Sequence, residues 1–111
     1  MWMDKMRVVI TRPRAQAAPF AEALQKIGAE GIFFPTIEIR PVADPICLDR
    51  ALEKLDCYQW LVLTSANAAE VVLGRMTELG VGAPPQTLRV AAIGPKTAAR
   101  LEEGGISPDF I

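Results

Sequence analysis

The chain has 111 residues, half of them apolar, with 12 basic residues against 13 acidic ones and no histidine. This length and balance are typical of a globular protein with a substantial core, and a net charge of −1 argues against a nucleic-acid partner, which needs a clear basic excess. The lack of histidine excludes histidine general bases, serine–histidine and cysteine–histidine catalytic sets, and histidine metal ligands.

We expect neither a targeting segment nor a membrane segment in this sequence. The N-terminus lacks the apolar region and small-residue cleavage site of a signal peptide. No apolar run approaches the roughly 18 residues that span a bilayer, so we expect a cytoplasmic protein with no membrane partner. Cys47 and Cys57 have neither a CxxC spacing nor a disulfide-framework pattern. We expect both to be reduced and to behave as small apolar residues.

The first predicted elements are a strand and a helix. Residues 7–11 form an apolar, β-branched run, which is typical of a strand buried on both faces. Apolar residues at helical spacing follow it. Because proline is tolerated only in the first turn of a helix, Pro19 predicts that the regular helix begins near residues 17–18. Gly28 is expected to end this helix in the left-handed conformation.

A second strand and a crossover come next. Residues 30–35 predict the strand. Residues 36–45 alternate polar with apolar side chains and contain two prolines, which favours an extended crossover between domains. Residues 46–55 have the apolar stripe of a short helix. The acidic residues around this helix lack metal-ligand spacing and are expected to form a solvated face: Asp44, Asp49, Glu53 and Asp56.

Two further strands, residues 58–64 and 88–93, are each followed by a small polar turn and a helix. Ser65 is expected to cap the first of these helices, and Gly80 to end it. Residues 106–111 resemble the beginning of another strand. A strand–turn–helix unit thus occurs three times, which predicts right-handed crossovers and the parallel α/β class.

The three polar turns are the candidate binding site, because ligands of parallel sheets bind beyond the carboxyl ends of the strands. Each turn contains a hydroxyl group, two contain cations, and each lies at a helix start with free N–H donors. This pattern indicates a ligand with several carboxylates or phosphates, although such residues also serve as simple helix caps. The candidate binding residues are Thr11, Arg12, Arg14, Thr64, Ser65, Asn67, Lys96 and Thr97.

Five segments from Arg7 onward have the order and spacing of a known family: residues 8–13, 28–30, 35–39, 63–68 and 92–98. Through these segments the sequence resembles the uroporphyrinogen-III synthases. The resemblance implies flavodoxin-like parallel sheets with flanking helices. It also implies a cyclising hydro-lyase of heme biosynthesis, which closes hydroxymethylbilane with loss of water and inversion of the last pyrrole ring. No cofactor is implied, and this linear tetrapyrrole substrate carries eight carboxylates, in agreement with the anionic ligand expected above.

The resemblance also implies a domain organisation. Residues 1–35 correspond to the opening βαβ unit of a discontinuous first domain, residues 36–44 to an interdomain crossover, and residues 45–111 to an incomplete second flavodoxin-like domain. The tyrosine that the family is thought to use for the leaving hydroxyl has no counterpart, since Tyr58 does not match it, and the catalytic residue is unknown. We therefore expect an N-terminal fragment, inactive by itself, whose open sheet edges permit homodimerisation.

One alternative is a non-catalytic flavodoxin-like binding module similar to a receiver domain. Such a module needs an acidic cluster after the first strand. Here that turn contains Arg12 and Arg14 instead, which disfavours the alternative.

Overall fold

The computed structural model describes residues 5–111, in which the chain divides into two compact units with a boundary between Pro41 and Val42. Each unit contains a two-stranded parallel sheet, with one helix in the first unit and three in the second. The predicted parallel α/β class is confirmed. Within these described residues, no helix combines the length and the apolar character needed to cross a bilayer.

The first unit is a single strand–helix–strand motif. It consists of β1 (Arg7–Ile10), α1 (Arg14–Lys26) and β2 (Glu30–Phe33), and the two strands pair in parallel. Helix α1 lies on one face of this sheet, where it forms a small core. The buried residues of that core are Ile10, Ala17, Leu24 and Ala29.

The expectation that β1 is buried on both faces is wrong. Ile10 is buried beneath α1, but its neighbour Val9, on the opposite face, is 58% exposed. Successive side chains of a strand point to opposite faces, and α1 covers only one of them. The apolar sequence of a strand therefore shows which residues can be buried. Whether one face or both faces of the sheet are covered by helices decides which of them are buried.

Helix α1 begins earlier than predicted, at Arg14, and contains Pro19 in its interior. The carbonyl of Pro13 accepts hydrogen bonds from the N–H groups of Gln16 and Ala17, both at 2.9 Å, and these bonds start the helix. Pro19 has no N–H, which leaves the carbonyl of Ala15 without its helical donor. Both residues are exposed, so water can replace the missing donor.

The second unit contains three helices and a second sheet. Its elements are α2 (Ile46–Glu53), a 3₁₀ turn (Leu55–Cys57), β3 (Trp60–Leu63), α3 (Ala66–Leu79), β4 (Arg89–Ala92) and α4 (Pro95–Glu103). Strands β2, β3 and β4 are each shorter than the apolar runs that predicted them, because only the residues facing a partner strand form the ladder. The predictions that Ser65 caps α3 and that Gly80 ends it are confirmed, and Gly80 has the left-handed conformation.

Both long helices of this unit lie on the same face of its sheet. Strand β4 pairs with β3 on one side and, through a single bridge between Ala91 and Phe110, with the C-terminal segment on the other. Right-handed crossovers that advance in one direction across a sheet place their helices on one face. The opposite face is consequently open, with side chains 47–59% exposed: Trp60, Val62, Ile93 and Phe110.

An ion pair joins helices α2 and α3. The prediction that the acidic residues around α2 form a solvated face is therefore wrong for Asp49. Arg75 donates from Nε to Asp49 at 2.9 Å and from Nη2 at 2.7 Å, and it also pairs with Glu78. The hydrogen bonds to Asp49 raise the pKa of Arg75 above its ordinary value.

Both cysteines are unpaired but exposed, so they do not pack as small apolar residues.

Candidate functional site

The second sheet brings two of the predicted turns together. Strands β3 and β4 are parallel, so their carboxyl ends meet at one edge. The N–H of Ile93 donates to the carbonyl of Leu63 at 2.9 Å, one residue before each turn begins. This edge, called here the second edge, contains five of the candidate residues: Thr64, Ser65, Asn67, Lys96 and Thr97.

The start of α3 combines a hydroxyl cap with free amides. Ser65 has extended backbone, and its Oγ accepts a hydrogen bond from the N–H of Ala68 at 3.0 Å. That bond uses a lone pair, so the hydroxyl proton remains available to a ligand. Within residues 5–111, the N–H groups of Ala66 and Asn67 have no backbone acceptor. The turn thus offers a ligand three donors, which are the Ser65 hydroxyl and the N–H groups of Ala66 and Asn67.

The start of α4 has no side-chain cap. Gly94 precedes it with a φ of 85°, a conformation that favours glycine, and the carbonyl of Gly94 accepts from Ala98. Because Pro95 has no N–H, the free donors of the first turn are the amides of Lys96 and Thr97. The Lys96 side chain is exposed, whereas Thr97 is only 3% exposed and offers a ligand the least surface.

The charge at the helix starts favours anions. Helices α1, α3 and α4 have no acidic residue in the first turn, so nothing there offsets the positive end of the helix dipole. Helix α2 differs, because Asp49 lies in its first turn and Asp44 accepts from the N–H of Ile46 at 3.1 Å. The three helices that follow strands are therefore the ones suited to an anionic ligand.

The first sheet has a comparable edge, called here the first edge. The carbonyl of Thr11 accepts from the N–H of Thr36 at 3.1 Å and from its hydroxyl at 3.3 Å. The guanidinium carbon of Arg14 lies 4.9 Å from the ring centroid of Phe33. Arg12 and Arg14 are exposed, and neither forms a salt bridge with another residue of the described chain.

The candidate binding residues predicted from the sequence did not include Thr36 or Phe33. A signal for Thr36 existed, since a polar residue after the second strand lies at the same edge as the turn after the first. No local pattern pointed to the contact between Phe33 and Arg14, which depends on the packing of α1.

Other kinds of site are not evident in the described part of the chain. Residues 5–111 contain no group of three or more cysteine or acidic side chains placed to hold a metal ion. Three shallow cavities, of about 340, 310 and 260 Å³, are lined by none of the eight candidate residues. Tyr58 precedes β3, so it lies at the amino end of that strand, away from the second edge.

Comparisons with known proteins identify the family. The family model described as uroporphyrinogen-III synthase HemD matches residues 18–111. The chain belongs to the uroporphyrinogen-III synthase family. The resemblance derived from the five sequence segments is thereby confirmed. The matched range includes the whole second edge, while Thr11, Arg12 and Arg14 precede it.

Individual members of this family align with most of the chain. A uroporphyrinogen-III synthase of Synechococcus elongatus is 36% identical over 104 residues, which are 94% of this chain and 39% of the relative. A putative uroporphyrinogen-III synthase of Methanocaldococcus jannaschii is 37% identical over 107 residues, 96% of this chain and 42% of the relative. The chain thus spans about two fifths of the length of these synthases.

A solved structure of the family has a similar fold. A crystal structure of a mutant uroporphyrinogen III synthase from Thermus thermophilus matches with a TM-score of 0.67 and 25% identity. The match covers 95% of this chain and 42% of that one. The parallel strand pairs and flanking helices therefore belong to the architecture of the synthase family.

Proposed function

We propose that this chain provides substrate-binding surface of a uroporphyrinogen-III synthase. The proposed reaction is the cyclisation of hydroxymethylbilane with loss of water and inversion of the last pyrrole ring, in heme biosynthesis and without a cofactor. The observation that carries the proposal is the second edge, where two adjacent turns present hydroxyls, free amides and Lys96, with no acidic residue in either first turn. A cytoplasmic location is included, since a substrate with eight carboxylates does not cross a bilayer unaided.

The groups at the second edge suit the binding of carboxylates. An ammonium group and N–H donors form charge-assisted hydrogen bonds with carboxylates, and these are stronger than neutral ones. A flexible chain with many carboxylates can be held at several such points at once. Holding the two ends of the substrate in a reactive arrangement lowers the barrier to ring closure through orientation. Thr64, Ser65, Asn67 and Thr97 would supply donors, and Lys96 would supply charge.

The same edge does not supply an evident acid. Its polar groups are hydroxyls, amides and one ammonium group, whereas loss of the substrate hydroxyl is helped by a proton donor. Tyr58 lies at the other end of β3. We therefore assign this chain's residues to binding and orientation of the substrate, and we assign none of them to proton transfer.

A titration with uroporphyrin, a porphyrin with eight carboxylates, tests the proposal. Losing a charged hydrogen bond costs about 1.5–3 kcal/mol, so Lys96→Ala should weaken binding about tenfold or more, and Thr64→Val should weaken it less. Arg89→Ala is the matched control, because Arg89 begins β4 and lies at the opposite end of the strand that leads to Lys96. It should bind as wild type does. Unchanged affinity in Lys96→Ala and Thr64→Val would show that these residues only begin a helix.

A further inference from the structure

We propose that Phe33 is a positioning residue, whose ring holds the Arg14 guanidinium at the first edge so that Arg14 can receive a carboxylate of the substrate. The inference rests on the proposed function and extends it to a residue that does not itself touch the substrate. It is carried by the contact between this ring and this cation, and by the absence of an acidic partner for Arg14 within residues 5–111.

The ring is well anchored. Phe33 is the last residue of β2, pairs in register with Ile10, and packs against the small core beneath α1. Arg14 is the first residue of α1, and its guanidinium carbon lies 4.9 Å from the ring centroid. This distance is within the range of cation–π attraction. A half-buried ring thus fixes an otherwise exposed and flexible side chain.

An aromatic partner, unlike an acidic one, leaves the charge and the N–H donors of an arginine available to a ligand. Arg7 pairs with Glu30 at 3.5 Å, and Arg40 pairs with Glu38 at 2.8 Å, so a carboxylate partly neutralises each of these cations. The ring of Phe33 attracts the guanidinium through its face without cancelling its charge. The N–H groups at the rim of the guanidinium plane remain free to donate to a carboxylate, which they can do in pairs.

The first edge around Arg14 is otherwise consistent with this role. Helix α1 has no acidic residue in its first turn, and the exposed Arg12 adds a second cation. The N–H and the hydroxyl of Thr36 both donate to the Thr11 carbonyl, which ties the turn after β1 to the segment that follows β2. A pre-positioned arginine loses less side-chain freedom when it binds an anion, and this increases affinity.

A double-mutant cycle with uroporphyrin as the probe tests the proposal on the 111-residue chain. Phe33→Leu keeps an apolar side chain but removes the ring, and it should weaken binding about two- to fivefold. Phe33→Tyr keeps the ring face and should bind as wild type does. In an Arg14→Ala background, Phe33→Leu should have no further effect, because the ring then has no cation to position. A purely structural role of Phe33 would weaken binding in both backgrounds.

A spectroscopic readout tests the contact directly. The side-chain protons of Arg14 should show ring-current shifts in the NMR spectrum that disappear in Phe33→Leu and persist in Phe33→Tyr. The methyl signals of Leu24, which is buried in the same core ten residues along α1 from Arg14, report whether the core of the unit is intact in each variant.

Lys26→Ala is the charge control, because Lys26 ends α1 about 18 Å from Arg14 along the helix axis. It should leave uroporphyrin affinity unchanged. Equal affinity of Phe33→Leu and wild type, or equal losses with and without Arg14, would overturn the positioning role while leaving the proposed function intact. Absence of saturable uroporphyrin binding to the wild-type chain would overturn both.

Discussion

Ser65 uses a lone pair of its hydroxyl to cap α3 and keeps the hydroxyl proton for another acceptor. These two roles can be separated by substitution. Asparagine and aspartate are both strong N-caps of similar size, so Ser65→Asn and Ser65→Asp should both keep the stability of α3. Only aspartate repels carboxylates, and we expect Ser65→Asp to bind uroporphyrin about fivefold more weakly than Ser65→Asn.

Thermal unfolding and uroporphyrin titration of the two variants provide the measurement. Ser65→Ala is the reference for loss of the cap and should reduce stability by about 1 kcal/mol. Equal affinities of the asparagine and aspartate variants would mean that no carboxylate approaches Ser65.

Single residues differ in how well the sequence predicted them. The caps Ser65 and Gly80 were predictable because capping depends on residues within one helical turn. Asp49 was predicted to be solvated, yet it binds Arg75, which is distant in sequence. A local pattern contains no information about such a partner.

At the scale of elements, one glycine inside α3 and one directly after its last residue have opposite expected responses to a methyl group. Gly74 lies in the helix interior and Gly80 lies at its end with a φ of 68°, and an added Cβ would meet nothing within 4 Å at either position. Gly74→Ala should stabilise the protein by about 0.5–1 kcal/mol through reduced backbone entropy. Gly80→Ala should destabilise it by about 1–2 kcal/mol, because alanine is strained in the left-handed conformation.

Denaturant unfolding of both variants measures these changes. Each variant serves as the control for the other, since the substitution is the same and the surroundings are equally open. A destabilised Gly74→Ala, or an unchanged Gly80→Ala, would contradict the described helix boundaries.

The open face of the second sheet predicts self-association of the chain. Four apolar side chains there are about half exposed, and β3 has a paired neighbour on one side only within the described sheet. We expect wild-type protein to show concentration-dependent association in analytical ultracentrifugation. Val62→Lys should reduce this association, because a charge in the middle of the face must be desolvated when two copies meet.

Val71→Lys is the matched control for this experiment. Val71 is also about half exposed, at 48%, but it lies on α3 rather than on the open sheet face. Equal association of Val62→Lys, Val71→Lys and wild type would exclude the sheet face as the contact. The homodimer expected from the sequence, through open sheet edges, stays a prediction.

At the scale of the whole molecule, the proposal that this chain binds the substrate but supplies no proton donor predicts the outcome of an activity assay. In the proposed function the two edges bind and orient a polycarboxylate, but neither contains an evident proton donor for the leaving hydroxyl. Incubated with hydroxymethylbilane, the 111-residue chain should therefore yield the type I isomer. This isomer forms by spontaneous closure without inversion of the last pyrrole ring, whereas the type III isomer contains the inverted ring. Chromatography of the oxidised products, compared with a protein-free control, measures this. Predominantly type III product would contradict the assignment of these residues to binding alone.

The order of elements, the parallel class and the positions of the polar turns were predictable from local patterns. Apolar runs, helical spacing and turn chemistry each depend on residues that are near one another along the chain. The second edge could be predicted for the same reason, because parallel strands place their following turns side by side.

Packing between distant residues decided the remaining features. It determined that α1 covers one face of its sheet and leaves Val9 exposed, and that helix α1 accommodates Pro19 on its solvent side. It also placed the Phe33 ring against Arg14 and the Thr36 hydroxyl against the Thr11 carbonyl. These contacts join separate elements, so their geometry depends on how a helix settles on its sheet, which no local spacing specifies.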